Sequence, residues 1–207
     1  MAELIFKLFL AVICILGISL NIASSKSISQ ALNIFSYFTI QSNLIVLCIS
    51  VYGIILKTKR NNGGFIYLLL RSGAVLWILI TGLVYHFMLS RVIHATGIWQ
   101  ISIIILHYIT PLLAIINWIL FEEKGKWKYI FSLYWLAYPV LYLVVSQVRR
   151  NIDGFSPYWF LNPVAKYPKG IGSYGNMAIA ILILLISFTL LGLVIIKIDK
   201  VLKIRVS

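Results

Sequence analysis

Trp99-Gln100-Ile101-Ser102-Ile103-Ile104-Ile105-Leu106-His107-Tyr108-Ile109-Thr110-Pro111-Leu112-Leu113-Ala114-Ile115-Ile116-Asn117-Trp118-Ile119-Leu120 contains no Asp, Glu, Lys or Arg. About 20 predominantly apolar residues suffice for a helix to cross a bilayer. The run is therefore a membrane crossing, and it holds a histidine. Working outward, five more runs of the same kind lie near 4–24, 31–56, 66–88, 127–148 and 174–197. With 99–120 they predict an all-α, polytopic membrane protein of six transmembrane helices, forming one domain over 1–207. Connections are short except for 149–173, so no separate soluble domain fits between them.

Composition agrees. Hydrophobic residues make up 61% of the chain and charged residues 11%, where a soluble domain carries about 25% charged. The first apolar run is longer than the core of a signal peptide and five more spans follow it, so it reads as a retained helix. The formal charge of +13 is not read as a nucleic-acid surface, because the Lys and Arg residues cluster at helix ends, where phospholipid headgroups lie.

With the N-terminus inside, Lys7, Lys57, Lys59, Arg60, Lys124, Lys126, Lys128, Lys197, Lys200, Lys203 and Arg205 face inward, and Lys26, Arg91, Arg149, Arg150, Lys166 and Lys169 face outward. The excess predicts cytoplasmic N- and C-termini and an external 149–173 segment. Arg71, near the inner start of the third helix, is assigned to neither side and reads as structural. Cys14 and Cys48 read as buried, unpaired side chains. No His or Cys spacing suggests a metal, and no motif suggests a cofactor.

An ionisable side chain within a span is read as functional by default. His107 lies eight residues past the start of its span, and Thr39 eight past the start of the span at 31. At 1.5 Å per residue both lie roughly 12 Å below the outer edge. A hydroxyl beside an imidazole is the minimum set for a nucleophile and its base. Ser36, Thr39 and Asn43 share one helical stripe; His107, Thr110 and Asn117 share another. Pro111 cannot donate to the His107 carbonyl. Asn43, one turn from Thr39, is the candidate oxyanion donor, with Ser36 and Thr110 as further polar lining. Tyr134, Tyr138 and Tyr142, spaced i, i+4, i+8, are candidate lining residues of a lipid-sized pocket. Gly154 to Pro163 is apolar and rich in aromatic residues and proline, which predicts a cap packed back on the helices above that pocket. His86 and His94 read as interfacial and structural.

Tyr37-Phe38-Thr39-Ile40-Gln41-Ser42-Asn43, Leu106-His107-Tyr108-Ile109-Thr110-Pro111 and Pro157-Tyr158-Trp159-Phe160-Leu161-Asn162-Pro163 together resemble a bacterial group of small six-helix membrane proteins. That group looks distantly similar to the eukaryotic androgen-induced membrane proteins. The resemblance to the bacterial group covers nearly the whole chain. Resemblance to the eukaryotic enzymes lies in the Thr and His segments and the helix count. The eukaryotic proteins are threonine hydrolases of fatty acid esters of hydroxy fatty acids, with a nucleophilic Thr in the second helix and an essential His in the fourth. The resemblance therefore implies Thr39 as nucleophile, His107 as its base and a lipid acyl ester as substrate. The Gln41-Ser42-Asn43 run departs from the eukaryotic motif. A bacterial cytoplasmic membrane is the expected location, from the absence of organelle-targeting signals together with the family resemblance.

Other functions stay open at this point. The same pocket serves an acyltransferase if an alcohol replaces water. A lipid- or small-molecule-binding protein needs the pocket but not the hydroxyl, and a structural subunit would turn both residues toward a partner helix. A transporter is disfavoured by the lack of an internal repeat and of carboxylates within the predicted spans.

Overall fold

The computed structural model describes residues 1–164 and 170–206. Lys166 and Lys169 lie outside the described residues, as does the side chain of Arg205. Every regular element among the described residues is helical. Six helices are long and apolar enough to cross a membrane: Ala2–Ala23, Phe38–Thr58, Gly64–Leu89, Gly97–Phe121, Phe131–Asp153 and Tyr174–Lys203. The chain is thus an all-helical, multi-pass membrane protein. Read from sequence as one domain over 1–207, it divides into two compact units, Met1–Glu123 and Lys124–Ser207.

The first unit holds four spans. Helix α1 (Ala2–Ala23) approaches the fourth span closely at Gly17. A methyl group there would lie 2.7 Å from side-chain carbons of Ile105 and Leu106. Ser102 donates to the Gly17 carbonyl at 2.9 Å, and Asn21 donates to the Ser102 hydroxyl at 3.1 Å. A small residue and a polar tether are the usual means of helix association where apolar burial against lipid gives little preference.

The second span differs from the predicted 31–56. Ser27 caps a separate short helix, α2 (Ile28–Asn33), by accepting from the Gln30 N–H, and Gln30 Oε1 accepts from the Lys26 N–H at 2.8 Å. This is a variant of the Ser-x-x-Gln capping box in which Gln30 reaches the N–H one residue before the N-cap. A 3-10 turn follows over Ile34–Ser36, Tyr37 is extended, and only then does α3 (Phe38–Thr58) begin. Gln41 reaches back across the break and donates to the Phe35 carbonyl at 3.0 Å.

Helix α4 (Gly64–Val84) ends in a π-turn, Tyr85–Leu89. The fourth span is α5 (Gly97–Ile104), a π-turn over Ile105–Ile109, and α6 (Thr110–Phe121) with Pro111 in its first turn. Such turns widen the helix by one residue and redirect the side chains around them.

At the end of this unit remote from Gly17, charged residues are drawn inward. Lys7 is buried, with Asn117 Oδ1 at 3.5 Å, Glu3 at 3.8 Å and Glu122 at 3.9 Å. Arg71 pairs with the buried Glu122 at 3.0 Å, and Asn117 donates to the other Glu122 oxygen at 3.1 Å. Lys57 pairs with Glu3 at 2.8 Å. Arg71 is thereby structural, as its sequence position suggested, but its partner was hidden because Glu122 falls just beyond the predicted span.

In the second unit the fifth span begins later than predicted. It consists of α7 (Phe131–Tyr134) and α8 (Ala137–Asp153). Pro139 offers no N–H to the carbonyl of Trp135, which accounts for the interruption. Helix α8 runs past Arg149 and Arg150 to Gly154, whose φ of 76° ends it in a left-handed cap. The long connection therefore starts at Gly154, and the 149–153 part of the predicted loop is helix. Within that connection Phe160 and Leu161 are buried, and Gln147 donates to the Leu161 carbonyl at 3.1 Å. The final helix, α9 (Tyr174–Val206), carries the fully buried Asp199, which accepts from the Gly125 and Trp127 N–H groups at 2.7 and 3.4 Å. Asp199 lies just past the predicted 174–197 run and clamps the 125–127 backbone.

Removing one member of a buried ion pair leaves the other uncompensated, at a cost of about 3–5 kcal/mol. Glu122→Leu is expected to lower stability by that amount in detergent-titration unfolding of the purified protein. An unchanged midpoint would show that the cluster does not hold these helices.

Candidate active site

Thr39 and His107 meet. Thr39 Oγ1 lies 3.1 Å from His107 Nε2, and both side chains are buried. Their meeting does not follow from the equal depths computed along two uninterrupted helices. Thr39 is the second residue of α3, whereas His107 is inside the π-turn of the fourth span.

The other ring nitrogen decides the tautomer. His107 Nδ1 lies 3.0 Å from the carbonyl oxygen of Ile103, one turn earlier. A carbonyl only accepts, so Nδ1 carries the hydrogen and Nε2 presents its lone pair. The Thr39 hydroxyl is consequently the donor and the imidazole the acceptor, which is the polarity a general base requires.

The Gln41-Ser42-Asn43 run builds the support for this pair. Gln41 ties down Phe35 across the break, as described above. The Ser42 hydroxyl lies 2.8 Å from Thr81 Oγ1 on α4 and 3.1 Å from the Thr39 carbonyl. Asn43 is fully buried and donates to two carbonyls, Thr39 at 2.8 Å and Leu106 at 3.2 Å. It bridges α3 to the residue preceding the histidine. Both amide hydrogens are thereby engaged, so the expectation of Asn43 as oxyanion donor is corrected: it is a clip. Its Oδ1 accepts no hydrogen bond.

Two residues that the sequence did not single out complete the surroundings. Gly82 on α4 faces the His107 carbonyl, and a methyl group there would lie 2.7 Å from that oxygen. An isolated glycine in an apolar helix is the available sequence signal for such a close approach. Tyr85, which opens the π-turn of the third span, lays its ring over the imidazole, with centroids 4.1 Å apart and planes 31° from parallel. Beside it Tyr108 is edge-on to Tyr85 at 5.7 Å, and its hydroxyl meets His86 Nδ1 at 3.2 Å.

Ser36 belongs to the 3-10 turn before Tyr37, so the predicted 36–39–43 stripe is broken by the extended residue between them. Thr110 is fully buried beside the Cys14 thiol of α1 and makes no bond to Thr39 or His107. Asn117 joins the ionic cluster. Cys14 is free and buried, as expected; Cys48 is free but exposed, which corrects the expectation that it is buried. The tyrosine stripe does not form: Tyr134 is exposed on α7, beyond the interruption, while Tyr138 and Tyr142 are on α8. Tyr142 is buried and packs on Tyr158 with centroids 6.4 Å apart. All three tyrosines belong to the second unit, and Thr39 and His107 to the first.

What these residues form is a hydroxyl–imidazole pair inside a multi-pass membrane protein, with its tautomer set by a backbone carbonyl. Comparison with known proteins adds no relative: no family model, curated protein or solved structure matches the chain. Asn43→Leu keeps the side-chain volume and removes both donors. It is expected to destabilise the protein by about 1–3 kcal/mol, the cost of removing the side-chain donor from the buried Leu106 carbonyl, read by unfolding in detergent. Full stability in that variant would argue against the clip.

Proposed function

We propose that this protein is an intramembrane ester hydrolase acting on lipid acyl esters, with Thr39 as nucleophile and His107 as base. The observation that carries the reading is the 3.1 Å contact between Thr39 Oγ1 and His107 Nε2, with Nδ1 held on the Ile103 carbonyl. The family resemblance of the Thr and His segments favours the same chemistry. Burial among apolar side chains suits a substrate that arrives from the bilayer.

In the reaction, Thr39 Oγ bonds to the ester carbonyl carbon as its proton passes to His107 Nε2. The tetrahedral oxyanion collapses, the alkoxy group leaves, and Nε2 returns the proton to it. Water then attacks the acyl-threonine by the same route, with His107 again taking and returning the proton. The second position of α3 places Thr39 at the positive end of a helix dipole. That field favours the oxyanion, the task the sequence reading gave to Asn43. Both termini are cytoplasmic in this proposal, by the Lys and Arg excess, which places the pair toward the outer half of a bacterial cytoplasmic membrane.

A fluorophosphonate probe tests the pair. Thr39 Oγ would displace fluoride from phosphorus, with His107 taking the proton. Wild-type protein is expected to label, Thr39→Ser to retain labelling, Thr39→Val to lose it, and His107→Ala to slow it by about 10²–10⁴-fold. Labelling that survives Thr39→Val, or folded wild-type protein that does not label, would overturn the assignment.

A further inference from the structure

We propose that Tyr85 is a positioning residue that stabilises the charged form of His107 from the face of its ring, taking over the charge-stabilising half of what a carboxylate does in a Ser-His-Asp triad. The proposal rests on the hydrolase reading above. When Thr39 Oγ bonds to the acyl carbon, its O–H bond breaks and the proton forms a new bond to Nε2. Nδ1 already carries a hydrogen, so the imidazole becomes an imidazolium. In a triad a buried Asp steadies that cation. Here the partners of His107 are the Thr39 hydroxyl, the Ile103 carbonyl and the Tyr85 ring. The Ile103 carbonyl performs the orienting half of the Asp role and supplies no formal charge.

The Tyr85 ring is suited to the other half. An aromatic face carries negative electrostatic potential and attracts a cation within about 6 Å, most strongly where water is excluded. The ring centroids are 4.1 Å apart at a 31° tilt, so the imidazole lies over the face and not at the edge. Tyr85 is buried, with 8% of its surface exposed, and Tyr108 braces it edge-on. The π-turns Tyr85–Leu89 and Ile105–Ile109 both occur at this contact. Two local departures from the α-helix, one on each helix, thus converge on one stacked pair. A neutral imidazole gains less from the ring than an imidazolium does, so the contact strengthens as the proton arrives and favours the transition state over the ground state.

The test replaces Tyr85 in the full-length protein by phenylalanine and by mono-, di- and trifluorinated phenylalanine, alongside Tyr85→Leu. The fluorinated rings keep the shape while withdrawing electron density from the face. The rate constant for fluorophosphonate labelling of Thr39 is the readout. Tyr85→Phe is expected to stay within about threefold of wild type. The rate should then fall stepwise with fluorine number, reaching a loss of about 10–30-fold for the trifluorinated ring and for Tyr85→Leu. A flat series on a protein that labels would remove the role of Tyr85 and leave the hydrolase reading intact. Wild-type protein that does not label would remove both. A merely structural ring would not give the graded series, and that series stays decisive even if Tyr85→Leu fails to fold.

Discussion

A backbone carbonyl without a donor is expensive in hydrocarbon, where no water can take the donor's place. The first unit is organised by that constraint. Its second and fourth spans are interrupted, and around the interruptions side chains take over the duty of the missing helical bonds. Gln41 serves Phe35 and Asn43 serves Leu106. His107 turns its Nδ1 to Ile103 in the same way. The proposed catalytic pair is one member of this network: the bond that satisfies Ile103 is also the bond that aims Nε2 at Thr39.

Rigidity comes from the other end of the unit. Lys7, Arg71, Glu122, Glu3, Asn117 and Lys57 join α1, α3, α4 and the end of the fourth span. Buried charges of this kind contribute little net stability when formed, yet they penalise any arrangement that separates them. They therefore select one packing of the helices. Gly17 and Gly82 work by the complementary route, letting helices approach where a single methyl group would collide with Ile105, Leu106 or the His107 carbonyl. A hydroxyl and an imidazole at hydrogen-bond distance need both devices, because an error of one ångström between helices breaks the contact.

Much of the architecture was legible along the chain. The apolar runs identified all six spans, and the run at 99–120 agrees with Gly97–Phe121 to within two residues. Thr39 and His107 were legible as a pair because polar side chains in such runs are rare enough to be conspicuous. The roles of their neighbours were not. Asn43 sits one turn from Thr39 in any helical reading, but whether its amide faces a substrate or two carbonyls depends on where Leu106 lies. Ser36 was placed on the wrong footing because the capping signal at Ser27 to Gln30 starts its own short helix. Tyr134 fell out of its stripe because Pro139 takes effect one turn earlier, at Trp135. Tyr85 and Gly82 gave little warning, since an aromatic residue and a glycine are ordinary in a membrane helix.

Along the chain alone, six runs long and apolar enough to cross a membrane can be read, with a hydroxyl and an imidazole inside two of them. Partition into a bilayer depends on residue composition summed over each run, and a sum needs no knowledge of neighbours. The tertiary structure decided which helices break, which carbonyl sets the histidine tautomer, and which ring covers it. Those outcomes depend on donors and acceptors supplied by other helices, at distances that only packing establishes.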